Sequence, residues 1–176
     1  VKGSLIFPAR FTLVAAMNPC PCGYHGDPEK ECTCSAYEVF RYQKKISGPL
    51  LDRIDIQINV PRVKFENLKN NDKPDHKISF RDSVKGAREM QKERFSRNKL
   101  NILTNSEMSS KDCEKLINLT KEANDFLKEI FDKTFLSTRG YYRILKTART
   151  IADLEKNEMV EANHIAEAFQ LRVREK

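Results

Sequence analysis

Four of the five cysteines, Cys20, Cys22, Cys32 and Cys34, fall in one short stretch as two C-x-C pairs separated by nine residues. Four thiolates brought together suit tetrahedral zinc. In a reducing cytosol, clustered cysteines point to metal more readily than to disulfides. The stretch also holds Pro21, Gly23, Gly26 and Pro28 and shows no hydrophobic periodicity, so it reads as a loop. A metal would give such a loop the stability that a hydrophobic core cannot. C-x-C is less usual than C-x-x-C, and the alternative is four reduced thiols in a flexible loop. His25 and Cys113 are weaker ligand candidates, the first a polar loop residue and the second a cysteine on a helix face that usually buries it.

The elements that must hold this loop begin with Phe11 to Met17 (FTLVAAM), a continuous apolar run of the kind found in a strand buried on both faces of a parallel sheet. It stops at Asn18-Pro19. A helix of about ten residues is expected from Ala36, closed by Gly48-Pro49. Ile54 to Val60 (IDIQINV) alternates apolar and polar residues and predicts a half-buried second strand. A parallel sheet needs more strands than these, so residues 1–63 are expected to be part of something larger.

A polar, Asn- and Lys-rich linker is expected over 64–78, and helices fill 79–176. Ser79 with Asp82 opens the first, with Phe80, Val84, Ala87, Gln91 and Phe95 on one face. Ser109 with Asp112 opens a second carrying Cys113 and Leu116. Thr120 caps a third that buries Ala123, Phe126, Leu127, Ile130 and Phe131. Ser137 caps a fourth with Tyr141, Ile144, Leu145, Ala148 and Ala152 as its apolar stripe. A last helix is expected from Ala162 to Val173. The fold class is thus an α/β portion with few strands followed by an all-α domain.

The 176 residues are 39% hydrophobic and 32% charged, too apolar for a disordered chain and too charged for a membrane protein. With no run of 18 apolar residues and no secretory signal pattern, a cytoplasmic location without membrane contact is expected. A net charge of +7 favours contact with phosphates. Mixed-charge helix faces explain the same number, since acids are spread among the lysines and arginines.

Several phrases resemble one family in its own order: FPARFTLVAAMNPCPCGYHGDPEKECTCS at 7–35, ISGPLLDRIDIQINVPRV at 46–63, and LSTRGYYRILKTARTIADLE at 136–155. AREMQKERF at 87–95 and HIAEAFQLR at 164–172 are similar to its C-terminal helices. The family is that of the magnesium-chelatase-like AAA+ ATPases of the ComM/YifB group. The resemblance implies an AAA+ P-loop α/β core with a helical lid, a homo-hexameric ring using ATP and Mg2+, and DNA as partner in helicase or branch-migration work during recombination or competence.

By the same resemblance Asn18 matches sensor 1, Arg53 in GPLLDRID the arginine finger, and Arg139 in STRGYYR sensor 2, with Arg143 and Lys146 on roughly the same face. Without it, Asn18-Pro19 simply opens a turn, and Arg53 is a surface arginine paired with Asp52 or Asp55. No GxxxxGK[ST] sequence and no Asp-Glu pair after an apolar strand occur here, so this chain alone is expected not to hydrolyse ATP, the missing parts lying before Val1. Two other readings stay open: a true magnesium-chelatase subunit, inserting metal into a porphyrin, and a zinc-stabilised binding module without turnover.

Overall fold

The computed structural model describes residues 4, 5, 7, 11–63, 76–134 and 136–172. By compactness the chain divides into Val1–Ser47 and Gly48–Lys176. This division lies elsewhere than the expected linker over 64–78, of which 64–75 falls outside the described residues and 76–78 is helical.

The first unit carries the cysteine loop and helix α1 (Ala36–Gln43). Ser35 starts the helix with a capping box: its Oγ accepts from the Glu38 backbone at 3.3 Å, and the Glu38 carboxylate accepts from the Ser35 backbone at 2.8 Å. Gln43, at the far end, donates to the Pro19 carbonyl at 3.1 Å, fastening the helix to the start of the loop. Cys20 and Val39 are this unit's buried residues among those described.

The expected strand at Phe11–Met17 is not formed, and its apolar side chains, Phe11, Leu13 and Val14 among them, are exposed. Ile54–Val60 likewise forms no strand, and Ile56, Ile58 and Val60 face water instead of sharing a buried face. Apolar alternation makes a strand only where neighbouring strands complete a ladder and a layer covers one face. Among the described residues pairing is confined to one isolated parallel bridge, Leu119 with Val160, so the described fold is mostly helical and the α/β layer is absent from it.

The second unit runs through a one-turn helix α2 (Gly48–Leu51), the segment 54–63 without helix or strand, α3 (His76–Arg97), a 3-10 turn (Asn105–Glu107), α4 (Ser110–Leu116), α5 (Lys121–Thr134), α6 (Thr138–Leu154) and α7 (Ala162–Gln170). Helix α3 is already under way at Ser79, which is therefore not its N-cap as expected. Its predicted apolar face is buried only from Ala87 onward, through Gln91 and Phe95, whereas Phe80 and Val84 are exposed. The Ser109–Asp112 capping box and the Ser137 cap form as read, and the Thr120 hydroxyl accepts from the Ala123 backbone at 3.2 Å. Helix α7 ends at Gln170; Val173 lies outside the described residues.

Helix α6 is the centre of this unit. Its Ile144, Leu145, Ala148, Ile151 and Ala152 pack with Phe95 of α3, Cys113 and Leu116 of α4, Leu127 and Ile130 of α5, and Ile165 and Ala168 of α7. Fully burying a large aliphatic or aromatic side chain stabilises by about 1.5–3 kcal/mol, so this cluster holds the helices together. Phe131, expected inside, is 40% exposed at the rim. Two polar links close the ends. Thr120 and Val160 exchange backbone bonds with Val160 and Asn118, at 3.0 and 2.8 Å, pinning the starts of α5 and α7 together. Buried His164 acts within the α7 cap, its Nδ1 accepting from the Glu161 backbone at 2.9 Å while Nε2 meets the Glu155 carboxylate at 2.9 Å.

Candidate functional site

The cysteine loop brings its four sulfurs together. Cys20 lies 3.3 Å from Cys22 and 3.6 Å from Cys32, and all four sulfurs fall within 4.8 Å of one another. A tetrahedral zinc with Zn–S near 2.3 Å requires sulfurs about 3.8 Å apart, so this spacing fits a metal held by four thiolates. The loop is shaped for it. Gly23 takes φ +86°, a left-handed conformation costly for other residues, and its N–H donates to Cys20 Sγ at 3.2 Å; the His25 N–H donates to the same sulfur at 3.3 Å. His25 itself and Cys113 stand outside the four-sulfur group.

The thiols are electrostatically unequal. The Tyr24 backbone N–H, against the effect of burial and helped by the Cys20 thiol, lowers Cys22 to about 5. For Cys34 the Cys22 backbone N–H acts downward, but burial and the Cys22 and Cys20 sulfurs outweigh it and push the thiol up to about 12. Crowded sulfur adds to burial here: once one thiolate forms, a second beside it is unfavourable unless a cation is present.

Asn18, in the same unit, is exposed, with its carboxamide beside Gly23. The other two singled-out residues belong to the helical unit. Arg53 is exposed on the turn after α2 and donates to the Pro49 carbonyl at 2.7 Å. It does not pair with Asp52 or Asp55. Those carboxylates go instead to Arg172, at 2.6 Å, and to Arg143.

Arg139 sits in the first turn of α6, exposed and without an ion pair among the described residues. It lines a groove of about 460 Å³ with Asp55, Ser106, Ser110, Thr138, Tyr142, Arg143 and Lys146. Arg139, Arg143 and Lys146 follow one another at helical spacing, so α6 presents three cations to one groove. Lys146 Nζ donates to the Ser106 carbonyl at 3.1 Å. The Tyr142 hydroxyl donates to Glu114 at 2.5 Å, which pushes that phenol up to about 12 and keeps it a donor. Gly140 matters to the cap: a Cβ there would stand 2.7 Å from Leu136 Cδ1 and 3.3 Å from Ser137 Oγ, the acceptor that starts α6.

Sequence reasoning singled out the three cations but not Asp55, Ser106, Ser110, Thr138 and Tyr142 as lining, nor Arg172 as the partner of Asp52. The available signal was charge: Asp52 and Asp55 flank Arg53 in the sequence. Which partners they take is decided by tertiary packing.

Comparison with known proteins agrees with this architecture. Residues 76–172 match the family described as magnesium chelatase, subunit ChlI C-terminal, and residues 1–68 match magnesium chelatase, subunit ChlI. Competence protein ComM of Haemophilus influenzae is 40% identical over 167 residues, covering 94% of this chain and 31% of that protein. YifB of Escherichia coli is 34% identical over 172 residues, covering 97% and 32%. A Mycobacterium tuberculosis protein, Rv2897c, is 34% identical over 170 residues, covering 97% and 33%. The chain therefore spans about a third of the length of the relatives it matches. No described helix is long and apolar enough to cross a membrane. With more than half its residues matched by the C-terminal description alone, and with ComM and YifB as relatives, the chain belongs to the magnesium chelatase ChlI family.

Proposed function

We propose that this chain supplies the sensing and completing parts of an AAA+ ATPase that works as a cytoplasmic homo-hexameric ring on DNA, coupling ATP hydrolysis to helicase or branch-migration work. The observation that carries this reading is the groove on α6, where Arg139 is exposed and free of ion pairs among the described residues, next to Arg143 and Lys146. Arg139 and Lys146, with Arg143 between them paired to Asp55, lie near a helix N-terminus and favour a polyphosphate, because a guanidinium matches phosphate oxygens and the helix dipole adds partial positive charge. In this reading Arg139 is sensor 2 for its own subunit's nucleotide. Arg53 is the finger reaching a neighbour's site, an exposed guanidinium that would exchange its Pro49 carbonyl contact for phosphate, and Asn18 is the sensor-1 carboxamide that orients a phosphate oxygen or water without adding charge.

The phosphate-binding loop and the residues that hold Mg2+ are not in this sequence, so the chain by itself binds nucleotide weakly and does not turn it over. Cys20, Cys22, Cys32 and Cys34 would hold Zn2+, which cross-links the loop and takes no part in hydrolysis.

ATP hydrolysis by the longer protein tests the reading. Arg53→Ala lowers kcat by roughly 10³-fold or more, the range measured for arginine fingers. Mixing that variant with one disabled in the phosphate-binding loop restores activity, because each supplies what the other lacks. Full hydrolysis by Arg53→Ala, or by Arg139→Ala, sinks it.

A second reading has its own support. Both matched family descriptions name magnesium chelatase, favouring ATP-driven metal insertion into a porphyrin. Stimulation of the ATPase by branched DNA supports the first; stimulation by porphyrin with partner subunits supports the second.

A further inference from the structure

Arg172 stands two residues beyond α7 with its side chain 8% exposed. One terminal nitrogen donates to the Asp52 carbonyl at 2.9 Å and to Asp52 Oδ1 at 2.6 Å; the other donates to the Ile54 carbonyl at 3.2 Å. The guanidinium fork therefore straddles Arg53, gripping the residue before it and the residue after it. Asp52 has a second attachment: its carboxylate accepts from Ser137 Oγ at 3.3 Å. Ser137 caps α6, and Arg139 lies two residues further on. The same segment is held again by the Gln57 N–H on the Leu171 carbonyl at 2.6 Å, and by Asp55 on Arg143 of the groove.

A staple serving stability alone could grip anywhere along 48–63. This one fixes the backbone on both sides of one exposed arginine, whose own guanidinium rests on the Pro49 carbonyl at 2.7 Å. A bidentate guanidinium on two carbonyls is hard to replace, since a shorter or single-pronged side chain leaves one partly buried carbonyl without its donor.

We propose that Arg172 and Asp52 are positioning residues for Arg53: they lock the turn that aims its guanidinium and, through Ser137, tie that turn to the first turn of α6. Contact at Arg139 and placement of Arg53 are then mechanically linked within one subunit. The inference rests on the finger reading of Arg53 given above.

Two measurements test it. The first is amide hydrogen exchange on this chain. The N–H groups of Asp52, Arg53 and Ile54 bond to Gly48, Leu50 and Leu51 carbonyls at 2.8, 2.9 and 3.0 Å. In Arg172→Gln these three exchange about tenfold faster or more, while core amides of α5 and α6 keep their protection. Arg172→Lys, which keeps the charge but cannot span both carbonyls, falls between. Unchanged exchange at 52–54, or an equal rise through every helix, overturns the proposal.

The second is a double-variant cycle on ATP hydrolysis by the longer protein. Arg172→Gln lowers kcat about tenfold with KM for ATP within about twofold, and adds no further loss to Arg53→Ala, because it acts through that residue. A further tenfold loss in the double variant overturns the positioning role and leaves the finger reading standing. Full activity of Arg53→Ala alone removes the finger reading and this proposal with it.

Discussion

Arg149 and Asp153, one turn apart on α6, form an ion pair shut off from water, with side chains 1% and 0% exposed and Arg149 Nε 3.1 Å from Asp153 Oδ1. Burial pushes the Arg149 guanidinium below its ordinary range, and the Asp153 carboxylate opposes that shift. Asp153 also accepts from Arg94 of α3 and from Asn105 Nδ2 at 2.8 Å, while Arg149 caps the chain after α6 through the Asn157 and Glu158 carbonyls. One carboxylate thus joins α3, the 3-10 turn and α6.

Removing that carboxylate strands two arginines. Asp153→Ala is expected to cost about 3–5 kcal/mol of unfolding free energy, the range for leaving a buried charge without its partner. Urea unfolding of the chain measures it, and a loss below about 1 kcal/mol would show that water or another acid replaces Asp153.

Cys22 is expected to alkylate ahead of Cys34. Its pKa, lowered to about 5, means that it is thiolate above that pH, whereas Cys34 at about 12 stays a thiol through the neutral range. Mass mapping after iodoacetamide treatment of metal-free, reduced protein at pH 6 to 8 should find label on Cys22 well ahead of Cys34. Equal labelling contradicts the predicted ordering.

Zinc should abolish that reactivity. One zinc per chain is expected by elemental analysis, lost when Cys20 or Cys32 is replaced by serine and released on acidification as protons compete for the thiolates. A folded, reduced sample with substoichiometric metal removes the zinc assignment.

The helix caps make a smaller, separable contribution. Ser137→Ala and Ser109→Ala should each cost about 1 kcal/mol. The Ser109 cap also carries a pH dependence. Hydrogen bonds from the Ser109 side chain and backbone hold Asp112 below its ordinary value of 3.8, so this contribution is present above that value and is lost as pH falls through the lower, folded value. Ser109→Ala should therefore flatten part of the acid limb of the stability curve. Identical acid limbs for Ser109→Ala and the parent chain would refute the Asp112 assignment.

The helical unit was readable from the sequence because its signals are local. Ser109, Thr120 and Ser137 cap where they were expected to, and the stripe of Ile144, Leu145, Ala148 and Ala152 is buried as its 3.6-residue period requires. Ser79 was misread as the cap of α3 because a Ser three residues before an Asp has the spacing of a capping box even inside a helix. FTLVAAM and IDIQINV carry strand composition, but a strand is a property of neighbours as well as of its own residues. The four cysteines were legible as a cluster from spacing alone. Arg172 was not, because nothing local marks an arginine whose acceptors lie more than a hundred positions earlier in the chain.

The exposed apolar side chains of those two segments set how this chain behaves as a material. Phe11, Leu13 and Val14, and Ile56, Ile58 and Val60, present β-prone hydrophobic surface to solvent without a covering layer. Such runs adhere to copies of themselves, and net charge opposes this only while salt is low. Concentrated, salted solutions of the chain should turn cloudy well below the temperature at which its helices melt, so colloidal stability rather than folding stability sets its handling limit.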